Sequence, residues 1–290
     1  MKKIILLFLA VFALSGCARE VAMDVVVGDA VPCAVSVGVD PETRADVESL
    51  QALLGTTHEL RYVLEIYDVV YEGNTEKSAT RLGDQQVVYS SDLSVVFAVK
   101  LPPTRNYQFV VWADIVAKRT DEALAPTNGY YDTTYLSEVK VVGCANSDLG
   151  DAFSGVADVR DYSSSSTIHL SLKRPFAKLR IVDTDGISTA GAKTMTVIYS
   201  SNSSFPDTFN VRTGTMSSVN ALQSYSVNLN SSVQGEQTLF TDFIFVGNED
   251  TTLTVTVNFY DDGNNAVCSR EFRDIAIARN KITTIKGGII

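Results

Sequence analysis

From residue 60 onward, apolar and polar side chains alternate with period two over much of the chain. In ELRYVLEIYDVVY, Leu60, Tyr62, Leu64 and Ile66 share one face, with Arg61 and Glu65 on the other. That spacing is the one a half-buried β-strand requires. DLSVVFAVKL groups Leu93, Val95, Phe97, Val99 and Leu101, and NYQFVVWADIV groups Tyr107, Phe109, Val111, Ala113 and Ile115. Pro102, Pro103 and the Arg105-Asn106 pair between them predict a turn. STIHLSLKR repeats the pattern, with Ile168, Leu170 and Leu172 inward.

After Arg174-Pro175 the same pattern restarts in AKLRIVD, KTMTVIYS, QTLFTDFIFV, TTLTVTVNFY and AVCSREFR, each bounded by Gly, Asn, Asp or Ser clusters. TTLTVTVNFY is the cleanest, with Leu253, Val255, Val257 and Phe259 on one face and Thr252, Thr254, Thr256 and Asn258 opposite. Asp262-Gly263 in the following DDGNN predicts a hairpin turn. Many short strands without a sustained helical period predict an all-β fold of two tandem antiparallel β-sandwiches. They are expected at 57–173 and 174–290, with LSLKRPFAKLRIV running almost straight from one into the other. Residues 17–56 are expected to form a leader, with VPCAVSVGV as one short strand and ADVESLQALLG as a short helix ended by Gly55.

The first residues set the address. Lys2 and Lys3 precede an uncharged apolar run from Ile4 to Leu14, which has the length of a signal-peptide core and is too short for a permanent membrane helix. Ser15 and Gly16 come before Cys17. In bacterial lipoproteins this arrangement lets the thiol take a diacylglycerol before cleavage, so 1–16 are expected to be removed and Cys17 to be the lipid attachment residue. Several acyl chains on one residue give a stable anchor. No later segment approaches eighteen apolar residues in a row, so the lipid on Cys17 is the expected membrane element, and no other cofactor is expected.

Loss of Lys2 and Lys3 leaves 22 basic and 34 acidic residues, a formal charge of −12. An acidic surface argues against nucleic acid as a partner, because phosphate neutralisation needs clustered Lys and Arg. Cys33, Cys144 and Cys268 remain, with no C-x-x-C spacing. They allow at most one disulfide, and buried, inert thiols are the default for Cys144 and Cys268.

Catalytic signals are sparse. His58 and His169 have no evident charge-relay or metal partner. Asp183-Thr184-Asp185-Gly186 lacks the remaining ligands of a calcium loop and reads as a turn, while Asp148 and Asp151 suit either an ion or loop capping. A nucleophile elbow, a P-loop and a dinucleotide glycine run are all absent. The expectation is a scaffold, not an enzyme, and no metal site is expected. The long polar connection 117–135 carries Tyr130, Tyr131 and Tyr135. These either form an exposed aromatic surface for a glycan or protein, or fold back onto the sandwich.

The order of pieces resembles a family: a lipobox, a leader containing Thr43-Arg44-Ala45, two sandwich halves joined by SLKRPFAKLRIV, and the ending ARNKITTIKGGII. Together they resemble the fimbrillin-like lipoproteins of Gram-negative anaerobes, including minor-fimbrium anchor and accessory subunits. YVLEIYD, VVWADIV and YYDTTYLSEV resemble an uncharacterised branch of that group. The resemblance implies two transthyretin-like sandwiches on a lipid tether, acting in fimbriae or adhesion. It implies partners added by strand exchange, because polymerising members are cut after a leader arginine and accept a strand from the next subunit. Arg44 matches that position by context. Anchors of the family stay uncut, so either Arg44 is cut and Cys17 only delivers the subunit, or Cys17 holds it permanently. A glycan-binding lipoprotein of a nutrient-uptake system is the alternative. Ala18, in place of the aspartate linked to inner-membrane retention, favours the outer membrane, and Glu20 and Asp24 hint at surface export.

Overall fold

The structure is a computed structural model that describes residues 20–22, 30–41, 43, 52–121, 129–143, 146–163, 166–185, 191–200, 205–219, 224–229, 235–247 and 251–290. Cys17, Arg44, Cys144 and most of the stretch expected as a helix lie outside them.

The first sandwich pairs two sheets. One runs in the order β1 (Glu20–Ala22), β6 (Ser94–Leu101), β2 (Val31–Val39) and β11 (Ser166–Leu172). The other runs β10 (Ala152–Tyr162), β7 (Arg105–Ala117), β3 (His58–Glu72) and β4 (Thr75–Arg81), with β5 (Gln86–Ser90) also on β3. The faces expected from the alternation are the buried ones. Leu60, Tyr62, Leu64 and Ile66 of β3 meet Val95, Phe97, Val99 and Leu101 of β6 and Phe109, Val111 and Ile115 of β7 in one core.

The second sandwich sets β17 (Gln237–Phe245), β12 (Phe176–Asp183) and β20 (Ile282–Gly287) against β16 (Ser224–Asn228), β13 (Thr194–Tyr199), β18 (Thr251–Tyr260) and β19 (Ala266–Ile277). Leu179 and Ile181 pack there with Met195, Val197, Leu253, Val255, Val257 and Phe259. The Asp262-Gly263 turn joins β18 to β19 as expected, with Asp261 accepting from the Asn265 backbone N–H at 2.8 Å.

A fifth sheet joins the halves. It runs β15 (Met216–Val219), β14 (Phe205–Phe209), β9 (Val139–Val141) and β8 (Tyr131–Asp132). β8 and β9 come from the first half, while β14 and β15 are inserted between β13 and β16 of the second. Its register pairs Thr208 with Lys140 and Phe209 with Val139. Beneath it, Val63, Val110 and Trp112 on the outer face of β3 and β7 pack with Phe176, Phe209 and Phe245. The chain passes from β11 of one sandwich to β12 of the other through residues 173–175, and the two halves share a sheet and a core.

The segment expected as a leader enters the sandwich instead of standing apart from it. β2 lies inside a sheet because VPCAVSVGV alternates cleanly, and Cys33, Val35, Val37 and Val39 are all buried.

Candidate strand-exchange groove and the junction beside it

β2 is bonded on both edges. It pairs antiparallel with β6, Val35 opposite Phe97 and Val37 opposite Val95. On the other side it pairs parallel with β11, Val35 beside Ile168 and Val37 beside Leu170. Without β2 these neighbours present two unpaired edges flanking an apolar trench. Each buried valine contributes roughly 1.5–3 kcal/mol by leaving water, so β2 supplies a large share of what holds a domain of this size together.

Side chains hold both ends of the strand. The Tyr162 hydroxyl donates to the carbonyls of Val31 at 3.2 Å and Pro32 at 3.1 Å. Burial, with Cys33 close by, pushes the Tyr162 phenol up to about 12. Burial likewise pushes the Cys33 thiol up. At the far end the Val39 N–H donates to Leu93 and the Asp40 N–H to Leu172, at 3.0 and 2.9 Å. Ser171 donates to the Asp40 carboxylate at 3.1 Å. The recognition is backbone pairing plus small apolar side chains at alternate positions, which any strand of the same period satisfies.

Beside the groove, the basic residues after Leu172 meet the acidic turn before β10. Arg174 clasps Asp151 through Nε at 2.7 Å and Nη2 at 2.6 Å, with both side chains buried. Lys178, wholly buried, pairs with Asp148 at 2.9 Å, and Arg180 reaches the same carboxylate at 3.1 Å. Asp148 and Asp151, which the sequence left between ion binding and capping, are thus junction ion pairs. Among the described residues no group of three or more His, Cys, Asp or Glu side chains is placed to hold a metal ion.

The three tyrosines do not form one platform. Tyr131 is 6% exposed; it meets Trp112 edge-on at 5.1 Å, stacks on Phe176 at 6.3 Å, and donates to the Gly150 carbonyl at 2.6 Å. It is core because rings from both halves converge on it. Tyr130 is half-buried against the same cluster. Tyr135 alone is open, 55% exposed, with the Arg81 guanidinium 5.6 Å from its ring. The loop is pinned from below by Glu65, which accepts from Tyr67 at 2.6 Å, Gln85 at 2.8 Å, Arg81 at 3.0 Å and the Leu136 N–H at 3.2 Å.

His169 is exposed on β11, and His58 opens β3. Cys33 and Cys268 are free thiols, and Cys268 is half-buried against the second core. The sequence reading missed Tyr162 and the pairing of Arg174 with Asp151. A lone Tyr ending a strand and an Arg beside a Pro were the available signals, and neither names its partner.

Fold and N-terminus together define a lipoprotein-type all-β chain of two fused sandwiches. Residues 1–18 match the prokaryotic membrane lipoprotein lipid attachment site. The chain belongs to a family of unknown function, DUF6562, which it matches over residues 22–290. A search of curated proteins finds no match. Among solved structures, a candidate cell adhesion protein from Bacteroides uniformis is 11% identical, with 89% of this chain and 92% of that one covered at a TM-score of 0.46. A fimbrial assembly protein from Parabacteroides distasonis is 9% identical, covering 89% and 90% at 0.40. The fimbrial anchor protein Mfa2 from Porphyromonas gingivalis is 10% identical, covering 82% of each chain at 0.40. All three likenesses are loose.

Proposed function

We propose that this protein is a non-catalytic, lipid-anchored structural subunit of a surface assembly, built by strand addition into the first sandwich. The observation that carries the proposal is the position of β2. A strand from the leader, close in sequence to the anchor, completes the first sandwich between β6 and β11. Its removal after Arg44 leaves a groove whose edges and apolar floor suit a strand from another subunit. With the leader uncut, the same strand seals the groove and the chain serves as an anchor. The lipid attachment site supports membrane tethering, and the outer membrane and cell surface are the proposed location.

Protease shaving of intact cells, followed by N-terminal analysis of released and retained chains, tests this. Surface release together with heat-sensitive, high-mass assemblies in extracts is the expected result. An N-terminus at Ala45 identifies a polymerising subunit, and retention of Cys17 identifies an anchor. A chain fully protected in intact cells and present only as a monomer overturns the proposal.

A further inference from the structure

Where the leader leaves the first sandwich, it meets the second. The Thr43 hydroxyl donates to Oδ1 of Asn280 at 3.0 Å, across 237 positions of chain. The Arg174 backbone N–H donates to the same oxygen at 3.1 Å. Thr43 is 1% exposed, so its hydroxyl is shut off from water. Asn280 lies in the turn between β19 and β20 at φ +60°, a left-handed conformation that asparagine tolerates. Its own N–H donates to the Phe176 carbonyl at 3.0 Å, which fixes the turn against the first strand of the second sandwich. On the leader side, the Thr43 N–H donates to Asp40 at 3.0 Å, and the Asp40 N–H to Leu172 at 2.9 Å.

One amide oxygen therefore receives both the end of the leader and the start of the link between sandwiches. Strands leave a sheet from their ends, where local opening costs least. A hydrogen bond from the buried Thr43, four residues past the end of β2, raises that cost at the end nearer Arg44. We infer that Asn280 is a latch through which the second sandwich holds the leader strand in the first, and that β2 leaves only when this contact breaks. The latch rests on the groove proposed above and deepens it. It makes strand exchange depend on the interdomain junction, because an incoming strand reaches the groove from that end only after displacing Thr43 from Asn280.

Cys33 reports on the groove, since it is 3% exposed with β2 in place. The test follows its alkylation by iodoacetamide, located by peptide mass mapping, in the mature lipoprotein held in detergent micelles. Thr43→Val removes the hydroxyl at nearly constant shape. Asn280→Gly removes the amide and keeps the positive φ. Each is expected to speed Cys33 alkylation roughly fivefold, the weight of one hydrogen bond made only in the closed state. Thr43→Ser, which keeps the donor, is expected to stay within about twofold of wild type. Amide exchange in β13 and β18 is expected to be unchanged. Wild-type alkylation rates in both Thr43→Val and Asn280→Gly overturn the latch while leaving the groove standing. Equal acceleration of Cys33 and the β13 and β18 amides also overturns it, because that pattern reports general destabilisation. Alkylation of Cys33 no faster than exchange of the slowest β3 and β7 amides, in wild type and variants alike, overturns the groove itself and the latch with it.

Discussion

Arg174 Nη2 lies 2.6 Å from Asp151 Oδ2 and Nε lies 2.7 Å from Oδ1, with the side chains 1% and 0% exposed. This fork-on-carboxylate pair joins the start of β10 to the link between sandwiches. Removing one partner of a buried pair strands the other charge. Arg174→Met is expected to cost about 3–5 kcal/mol in urea unfolding, and Asp151→Leu in the same chain to recover most of it. A double variant no more stable than the single would show that the pair acts through something other than its charges.

Tyr131 and Tyr135 are four residues apart and have opposite roles. Tyr131→Ala empties a space between Trp112 and Phe176 and is expected to cost about 3–5 kcal/mol. Tyr135→Ala, on an exposed ring, is expected to stay within about 0.5 kcal/mol. Thermal unfolding of the two variants side by side checks this. If the protein retains a polysaccharide on an affinity gel, Tyr135 is the ring whose loss weakens retention.

Acid should loosen the junction through Asp148. Burial works to raise its pKa, but Lys178 and Arg180 outweigh burial and hold the carboxyl below the ordinary range. The folded value therefore lies below the unfolded one of about 3.9. Stability from the pair is complete above that pH and is lost as pH falls through the folded value. Urea midpoints of wild type and Asp148→Asn are expected to differ most near neutrality and to converge as pH drops to about 2. A gap that stays constant with pH would assign the effect to packing.

The leader strand should be held by its side-chain period. Val37 sits opposite Val95 and beside Leu170. After cleavage behind Arg44, the wild-type leader is expected to stay bound on gel filtration. A Val37→Asp leader, which buries an unpaired carboxylate, is expected to dissociate. Co-elution of both leaders would mean that backbone pairing alone holds the strand.

The strand faces were legible where one face meets the core and the other does not. Val95 to Leu101 and Leu253 to Phe259 each bury the expected side because alternation is a local property, whereas from Leu60 to Ile66 the opposite face is buried too, with Val63 in the core shared by the halves and Glu65 in a polar network. The leader strand showed the same mark in Cys33, Val35, Val37 and Val39, but nothing in those nine residues names β6 and β11 as neighbours. Tyr131 stayed open between an exposed contact surface and packing back onto the sandwich, because its burial depends on Trp112 and Phe176, which lie on other strands. Asp148 and Asp151 stayed ambiguous because their partners follow two strands later, beyond β10 and β11.

By itself the sequence determined the lipid attachment motif around Cys17 and the all-β class. Both rest on contiguous residues whose polarity and size suffice to specify them. Only the tertiary structure decided that the leader completes the first sandwich, that a sheet from both halves fuses them, and that Thr43 ends against Asn280. Those outcomes depend on which surfaces meet across long stretches of chain, and the period of a strand states that it must be covered without stating by what.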